Sequence, residues 1–360
     1  MTPPLMTLDV AAQQLVSADG PPRRLRCRGL RLSELARRHG FTLEGSDAEI
    51  SRFAPLSGLG DRNDGVAVSY LSSARFAGLL RPGADVAVIT RAELRSHLKQ
   101  GNAALVINEN SPAGPEIDPH DWFYTALASA IEHGNYERLA SYISPAAQIH
   151  PAATVSENVH VEEGAVIGAG AVILPNTYVG AGVVVKPNAT IGGDGFENAL
   201  INGRRSIVPH AGGVWLAEGV NVGSSTCVDR GLFGDFTYVG AFTNIDNLVH
   251  YAHSARCGKN CSIVACAEVS GSVVLGDGVW LGPNVSVNQG LTVGDHCYVG
   301  TAAVVTKNLP AHALAYGSPA KPMAQVCACR AKLQFENAAA TCGTCGKRYR
   351  LDEHGQVLHV

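Results

Sequence analysis

The chain has 360 residues, 46% of them hydrophobic and 6% aromatic, and a formal net charge of −3. That length suggests two or three domains with ample apolar material for a core, and the near-balanced charge gives no footing for a nucleic-acid partner. No apolar run is long enough to span a membrane, and the N-terminus lacks the charged-then-apolar order of a signal peptide. Ten cysteines, four of them gathered between Cys327 and Cys345, fit a reducing, cytoplasmic setting.

Residues 1–29 read as an extension of unassigned role, with a short helix over Met6–Val16 stopped by Pro21-Pro22. The arginines between Arg23 and Arg38 read as one solvated helix face. Residues 30–115 read as a small α/β domain. Leu30, Leu32, Leu35 and Ala36 have helical spacing, with Ser33 near the start. Val66-Ala67-Val68, Asp85 to Ile89 and Ala103 to Ile107 read as short buried strands, and Leu71 to Leu80 as a helix between them. Ser111 to Pro115 is a linker. Residues 116–142 form a linker helix, with Asp118 as N-cap and Pro119 at its first position, ending near Gly134.

Over residues 143–310, from Pro145 onward, the periodicity changes. An aliphatic residue recurs every six positions from Ile149 through Val155, Val161, Ile167, Ile173, Val179, Val185 and Ile191, and resumes at Leu216, Val222 and Val228. From Val239 to Val305 the register holds without a slip. A period of six matches neither a helix nor a hairpin; it is the pattern of a left-handed parallel β-helix, a prism with three flat faces. Each hexad supplies one strand and one corner, and Gly, Asn or Asp at the corners tolerate positive φ. Roughly eight coils at about 4.8 Å give a prism of about 40 Å. The register breaks at Asp194 to Gly213, which must leave the prism as a loop carrying Arg204, Arg205 and His210, and slips again between Val228 and Val239. The whole is mainly β.

Residues 311–360 hold a terminal loop, Gly317-Ser318-Pro319-Ala320-Lys321, and a Cys-rich tail. Cys327 and Cys329, then Cys342 and Cys345, are two pairs with the spacing of a zinc-ribbon knuckle, although the first pair is one residue short of the usual CxxC. Four thiolates would close a structural zinc site, leaving no open position for catalysis. The alternative is a set of reduced or oxidisable thiols.

Several strings resemble one enzyme family, the UDP-3-O-acylglucosamine N-acyltransferases of lipid A synthesis. They are Ile191-Gly-Gly-Asp194-Gly-Phe196, Val208-Pro-His210, Val228-Asp229-Arg230-Gly231 and Ile245-Asp246-Asn247-Leu-Val-His250-Tyr-Ala-His253, and residues 30–310 are covered. The resemblance implies that His253 is the general base, with Asp246 orienting it or the substrate amine. An amine attacking a thioester must lose a proton, and an imidazole titrates where it can take it. The other implied substrate contacts are Asp194, Phe196, His210, Asn247 and His250. Stacking of one coil on the next brings the Gly271 N–H beneath His253 as an oxyanion donor. The resemblance also implies a homotrimer with the site in a cleft between prisms.

Three features depart from the family. Its uracil-binding aromatic-amide-aromatic string stands here as Tyr70, Ser73 and Phe76: the aromatic pair is kept and the amide is a serine. The string Gln289-Gly290-Leu291 stands where members often carry a second histidine within Gly-His-Leu, and it has none. The terminal loop resembles that of coenzyme-A-dependent hexapeptide acetyltransferases, which implies donor contacts from Ser318, Ala320 and Lys321 beside Gly271 and Gln289. The expected function is therefore transfer of an acyl group from acyl carrier protein or coenzyme A to a nucleotide-linked amino sugar, with no cofactor for catalysis. A coenzyme-A-dependent sugar acetyltransferase and a non-catalytic trimeric scaffold remain alternatives.

Overall fold

The computed structural model describes residues 24–59, 65–112, 114, 116–201 and 204–360. The helix expected over 6–16 lies outside them.

In the small domain, α1 (Leu32–His39) buries Leu32, Leu35 and Ala36 as their spacing required, and Gly40 ends it at φ 66°. Ser33 is not its cap; its hydroxyl donates to Asp47 at 2.9 Å. The three expected strands form as β3 (Val66–Leu71), β4 (Val86–Arg91) and β5 (Ala103–Ile107). Two more, β1 (Thr42–Glu44) and β2 (Ile50–Phe53), complete a sheet in the order β1-β5-β4-β3-β2. The helix expected over Leu71 to Leu80 is a correction: β3 takes Leu71, and only a 3-10 turn, Ala74–Leu79, follows. Gly78 and the two-residue lead from Ser72 leave too little chain for a stable α-helix. Helix α2 (Pro119–Glu132) starts as expected, the Asp118 carboxylate accepting from His120 N at 2.9 Å. Its residues Trp122, Phe123 and Leu127 are buried in the same core as Phe53, Ile89 and Leu105.

The hexads build a left-handed prism of three parallel sheets. The first face runs from Tyr142–Ile143 to Thr292–Val293, the second from Gln148–Ile149 through Tyr298–Val299, and the third from Thr154–Val155 to Val304–Val305. Uninterrupted coils advance by three hexads, as in Val166 against Val184 and Ser262 against Trp280. The inward residues, among them Ile167, Val228, Tyr251, Ile263 and Val287, form one buried column. Corners adopt left-handed backbone at Asn158, Asn188, Asn260 and Asn284, as the composition suggested; among the described residues no Asp does so. The first sheet starts at Tyr142, before Pro145, and the second continues past Val305 into Ala313–Tyr316, which returns antiparallel through Lys321–Val326.

The break at 194–213 is an antiparallel hairpin, Asn198–Ile201 with Arg204–Ile207. It is a strap between the two domains. Ala199, Val208 and Ala211 enter the core of the small domain, and Leu200 N donates to Asp121 Oδ1 at 3.2 Å. Among the described residues no helix is long and apolar enough to cross a membrane.

Candidate active site

Five successive corners on one edge of the prism, where the third face turns into the first, bring the chemistry together. They are the hairpin, the 230–235 loop, and the corners of His253, Gly271 and Gln289. The edge is rigid because each corner is held by its neighbour. Ser272 N donates to His253 O at 3.0 Å, and Gly290 N to Gly271 O at 3.0 Å.

His253 follows the strand His250–Tyr251 and is 7% exposed. Its Nδ1 is buried with no hydrogen-bond partner among the described residues. The His210 ring meets it edge-on, with centroids 5.3 Å apart. Gly195 N donates to His210 Nε2 at 3.2 Å, so His210 carries its proton on Nδ1, which reaches Val208 O at 2.8 Å. Burial, and after it the His210 ring, holds the His253 pKa below the ordinary 6.5. A base in that state is neutral near pH 7.

Asp229, almost buried, accepts from His250 Nε2 at 2.9 Å, and this bond raises the His250 pKa. Arg230 does not pair with its neighbour Asp229; its Nε lies 3.2 Å from Asp194 Oδ1 and donates to Gly192 O at 2.7 Å. Space around the imidazoles is reserved by glycine. A Cβ on Gly271 would stand 2.7 Å from His253 Nε2, and one on Gly195 would stand 2.9 Å from His253 Cδ2 and 3.1 Å from His210 Nε2. The Gly271 N–H has no acceptor among the described residues.

Asp246, expected to orient either His253 or the substrate amine, makes its hydrogen bonds within the chain away from His253. It lies at the opposite end of that strand, with its oxygens on Asn247 N at 2.8 Å and Ala265 N at 3.2 Å. The carboxylates that act on His253 within the chain are Asp235 and Asp229. Asn247 sits with Asp246 and accepts from Ser224 N at 2.7 Å. Phe196, at the start of the hairpin, is 78% exposed.

Tyr70 and Phe76 do share a cavity, of about 540 Å³, also lined by Ser72, Asp118, His120, Asp121 and Arg205. Ser73 is not among its lining residues; it stands at the start of the 3-10 turn beside it. Arg205 comes from the hairpin and was legible only as part of a loop. A smaller cavity of about 260 Å³ lies against His210 and Arg230 on one side and Tyr136 and Arg138 on the other.

At the far end of the prism, the turn 317–320 is tied to the last strand of the third face. Val304 N donates to Gly317 O at 3.0 Å and Ala320 N to Val304 O at 2.7 Å. From His250 to Val304 is three coils, about 14 Å. Beyond it, Cys327, Cys329, Cys342 and Cys345 converge with all four sulfurs within 4.8 Å of one another, a set that could hold a metal ion.

Comparison with known proteins agrees with this architecture. The family model described as bacterial transferase hexapeptide (six repeats) matches residues 158–193 and 272–307. A UDP-3-O-acylglucosamine N-acyltransferase of Delftia acidovorans is 34% identical over 278 residues, covering 75% of this chain and 80% of that protein. One of Caulobacter sp. (strain K31) is 47% identical over 116 residues, 32% of this chain; the match spans about a third of that relative's length (34%). Among solved structures, a UDP-N-acetylglucosamine acyltransferase from Bacteroides fragilis aligns with a TM-score of 0.40 at 23% identity, over 51% of this chain and 74% of its own.

Proposed function

The chain belongs to the UDP-3-O-acylglucosamine N-acyltransferase family, and from that premise we propose that it transfers an acyl group from a phosphopantetheine thioester to the amine of a nucleotide-linked amino sugar. The observation that carries this reading is the strap at 194–213. Its second strand lines the aromatic cavity with Arg205, and its base sets Gly195 and His210 against His253. One element thus joins a site suited to a flat base and a phosphate to a neutral imidazole.

The chemistry follows from these positions. The sugar amine attacks the thioester carbonyl and gives its proton to His253. The oxyanion that forms is met by the Gly271 N–H. Collapse breaks the carbon–sulfur bond, and the imidazolium returns the proton to the departing thiolate, leaving an amide and a free thiol. Asp229 holds His250 at the rim and raises its pKa. Gln289 lies one coil beyond Gly271, on the way to the donor turn at Ser318, Ala320 and Lys321. The test is thiol release from an acyl thioester. It should require a UDP-amino sugar; release that ignores the acceptor, or none, contradicts the reading.

The donor turn favours a second reading of the same site, a short acyl group carried by coenzyme A, because Lys321 ends that turn where a phosphate of the arm would lie. The site opens at a prism edge, and a homotrimer places a second prism against it. Phe242 and Leu248, 51% and 61% exposed at prism corners in left-handed backbone, are apolar edges such an assembly covers.

Two outcomes are expected here. Arg205→Ala should weaken UDP binding by about tenfold or more, the worth of one charge-assisted hydrogen bond. Calorimetry would read it, and an unchanged Kd would remove Arg205 from the phosphate role. The acid limb of kcat/KM should lie below pH 6.5, since only protonation of His253 removes the base and its pKa is held down. His210→Gln takes away one cause of that depression and should move the limb to higher pH; a limb that stays in place would show that His210 does not act on the base.

A further inference from the structure

The Cys-rich tail plays no part in acyl transfer as derived above, and its geometry points to a separate site. We propose that Cys327, Cys329, Cys342 and Cys345 bind one thiophilic divalent cation, of the zinc class, and that the metal-held ribbon clamps the donor end of the prism. The clamp's effect on the donor rests on the donor reading above; the metal site does not.

The sulfurs are already arranged for a tetrahedral ion. Cys327 Sγ is 3.4 Å from Cys345 Sγ, and Cys329 Sγ is 3.5 Å from Cys342 Sγ. Four sulfurs at about 2.3 Å from one centre lie about 3.8 Å apart. All four thiols are free. Donors stand ready for thiolates: Cys329 N reaches Cys327 Sγ at 3.4 Å, and Tyr349 Oη, which accepts from Ala328 N at 3.2 Å, turns its proton to Cys327 Sγ at 3.1 Å. An all-sulfur tetrahedral set selects zinc or iron over harder cations.

The ribbon needs the ion. Its sheet, Ala339–Thr341, Arg348–Leu351 and Val357–His359, closes over six buried residues, Cys327, Leu333, Ala340, Cys342, Tyr349 and Val357, with Ala331, Phe335 and Leu351 half-buried against them. Two of those six are ligands, and a unit this small does not hold itself without a metal or a disulfide.

Side chains from the ribbon then grip the prism. Arg330, next to the ligand Cys329, lies over the Trp280 ring at 4.1 Å and reaches Ser262 Oγ at 3.5 Å. Tyr349 packs edge-on against His312 at 5.2 Å, and His312 Nδ1 is 2.8 Å from Val326 O. Val326 ends the strand Lys321–Val326, whose other end opens the turn bonded to Val304. Metal, ribbon, strand and donor turn are therefore one connected piece. Losing the ion releases the ribbon's grip on the Val326 end of that strand, leaving the turn held only by the pairing with Ala313–Tyr316 and the bonds to Val304.

The experiment uses the full chain. Elemental analysis should find one zinc per chain, and Cys342→Ser/Cys345→Ser should abolish it. Removing zinc with a chelator should change tryptophan emission through Trp280, because Trp122 and Trp215 are 1% and 8% exposed and far from the ribbon in the fold. Zinc addition should reverse the change, and Trp280→Phe should lack it. Removal should also raise the KM for the thioester donor several-fold while leaving UDP affinity unchanged. A wild-type chain that takes up no zinc, or a double variant that holds as much, overturns the site. A bound iron–sulfur chromophore overturns the zinc class. Zinc that leaves without moving Trp280 emission or the donor KM overturns the clamp. If no chain transfers acyl groups, the donor reading fails, and metal content and emission still decide the site and its docking.

Discussion

Replacing His253 by alanine is expected to lower kcat by about 10²–10⁴-fold while UDP affinity and thermal stability stay near those of the parent chain. The expectation of a selective loss comes from the surroundings of the ring. His253 Nδ1 makes no hydrogen bond among the described residues, so its removal leaves no backbone or side-chain partner stranded. The inward residue of that coil is Tyr251, which stays in the column with its hydroxyl on Tyr238 O at 3.1 Å. The nucleotide cavity with Tyr70, Phe76 and Arg205 belongs to other elements. Two outcomes would count against the base assignment: full activity in the variant, or a loss of activity matched by a loss of UDP binding. His250→Ala is the useful companion. Its ring is a rim residue paired to Asp229, so it should affect KM more than kcat.

Gly271→Ala is expected to be nearly as damaging, from a single added methyl group. The new Cβ would stand 2.7 Å from both Cε1 and Nε2 of His253, and 3.3 Å from Nδ1, closer than such atoms approach. Gly271 lies in a corner locked above by Ser272 N on His253 O and below by Gly290 N on its own carbonyl, so the backbone cannot withdraw. The imidazole must rotate away, and a shift of about 1 Å at a reacting group can cost about 10²-fold. The prism column, where Val269 and Val273 flank the corner from inside, is untouched. The variant should therefore unfold at a temperature close to the parent's while kcat falls. An active Gly271→Ala enzyme would mean that the ring does not work from this position.

Much of this was legible in the chain, for a physical reason. Parallel stacking, coil on coil, converts sequence distance into position, so Gly271 could be placed beneath His253 by counting three hexads. Counting does not reach the role of Asp246, which only the resemblance implied. It stands a full face of the prism from His253, at the far end of the strand, with its oxygens on Asn247 N of its own corner and on Ala265 N of the next coil. Asp235 was not visible because it lies in the irregular 230–235 loop, where the period of six fails. The strap was seen as a break in register, but nothing in Arg205 signalled that it reaches a cavity built by Tyr70 and Phe76. That contact depends on the hairpin folding over α2. In the small domain, Thr42–Glu44 and Ile50–Phe53 were missed because three- and four-residue strands carry too little alternation to stand out. The four cysteines were grouped correctly despite the short first pair, since their ribbon, unlike the strap, closes by local chain alone.

The measurement closest to the central claim is mass spectrometry of the product made from a UDP-amino sugar, with 3-hydroxyacyl carrier protein and acetyl-coenzyme A offered in parallel. A sugar nucleotide heavier by one acyl group, bound as an alkali-stable amide and absent with His253→Ala, is the predicted result. The donor that supplies it separates the long-acyl reading from the coenzyme A reading. An unmodified sugar nucleotide with both donors, or a product that forms equally well without His253, would contradict acyl transfer at this edge of the prism.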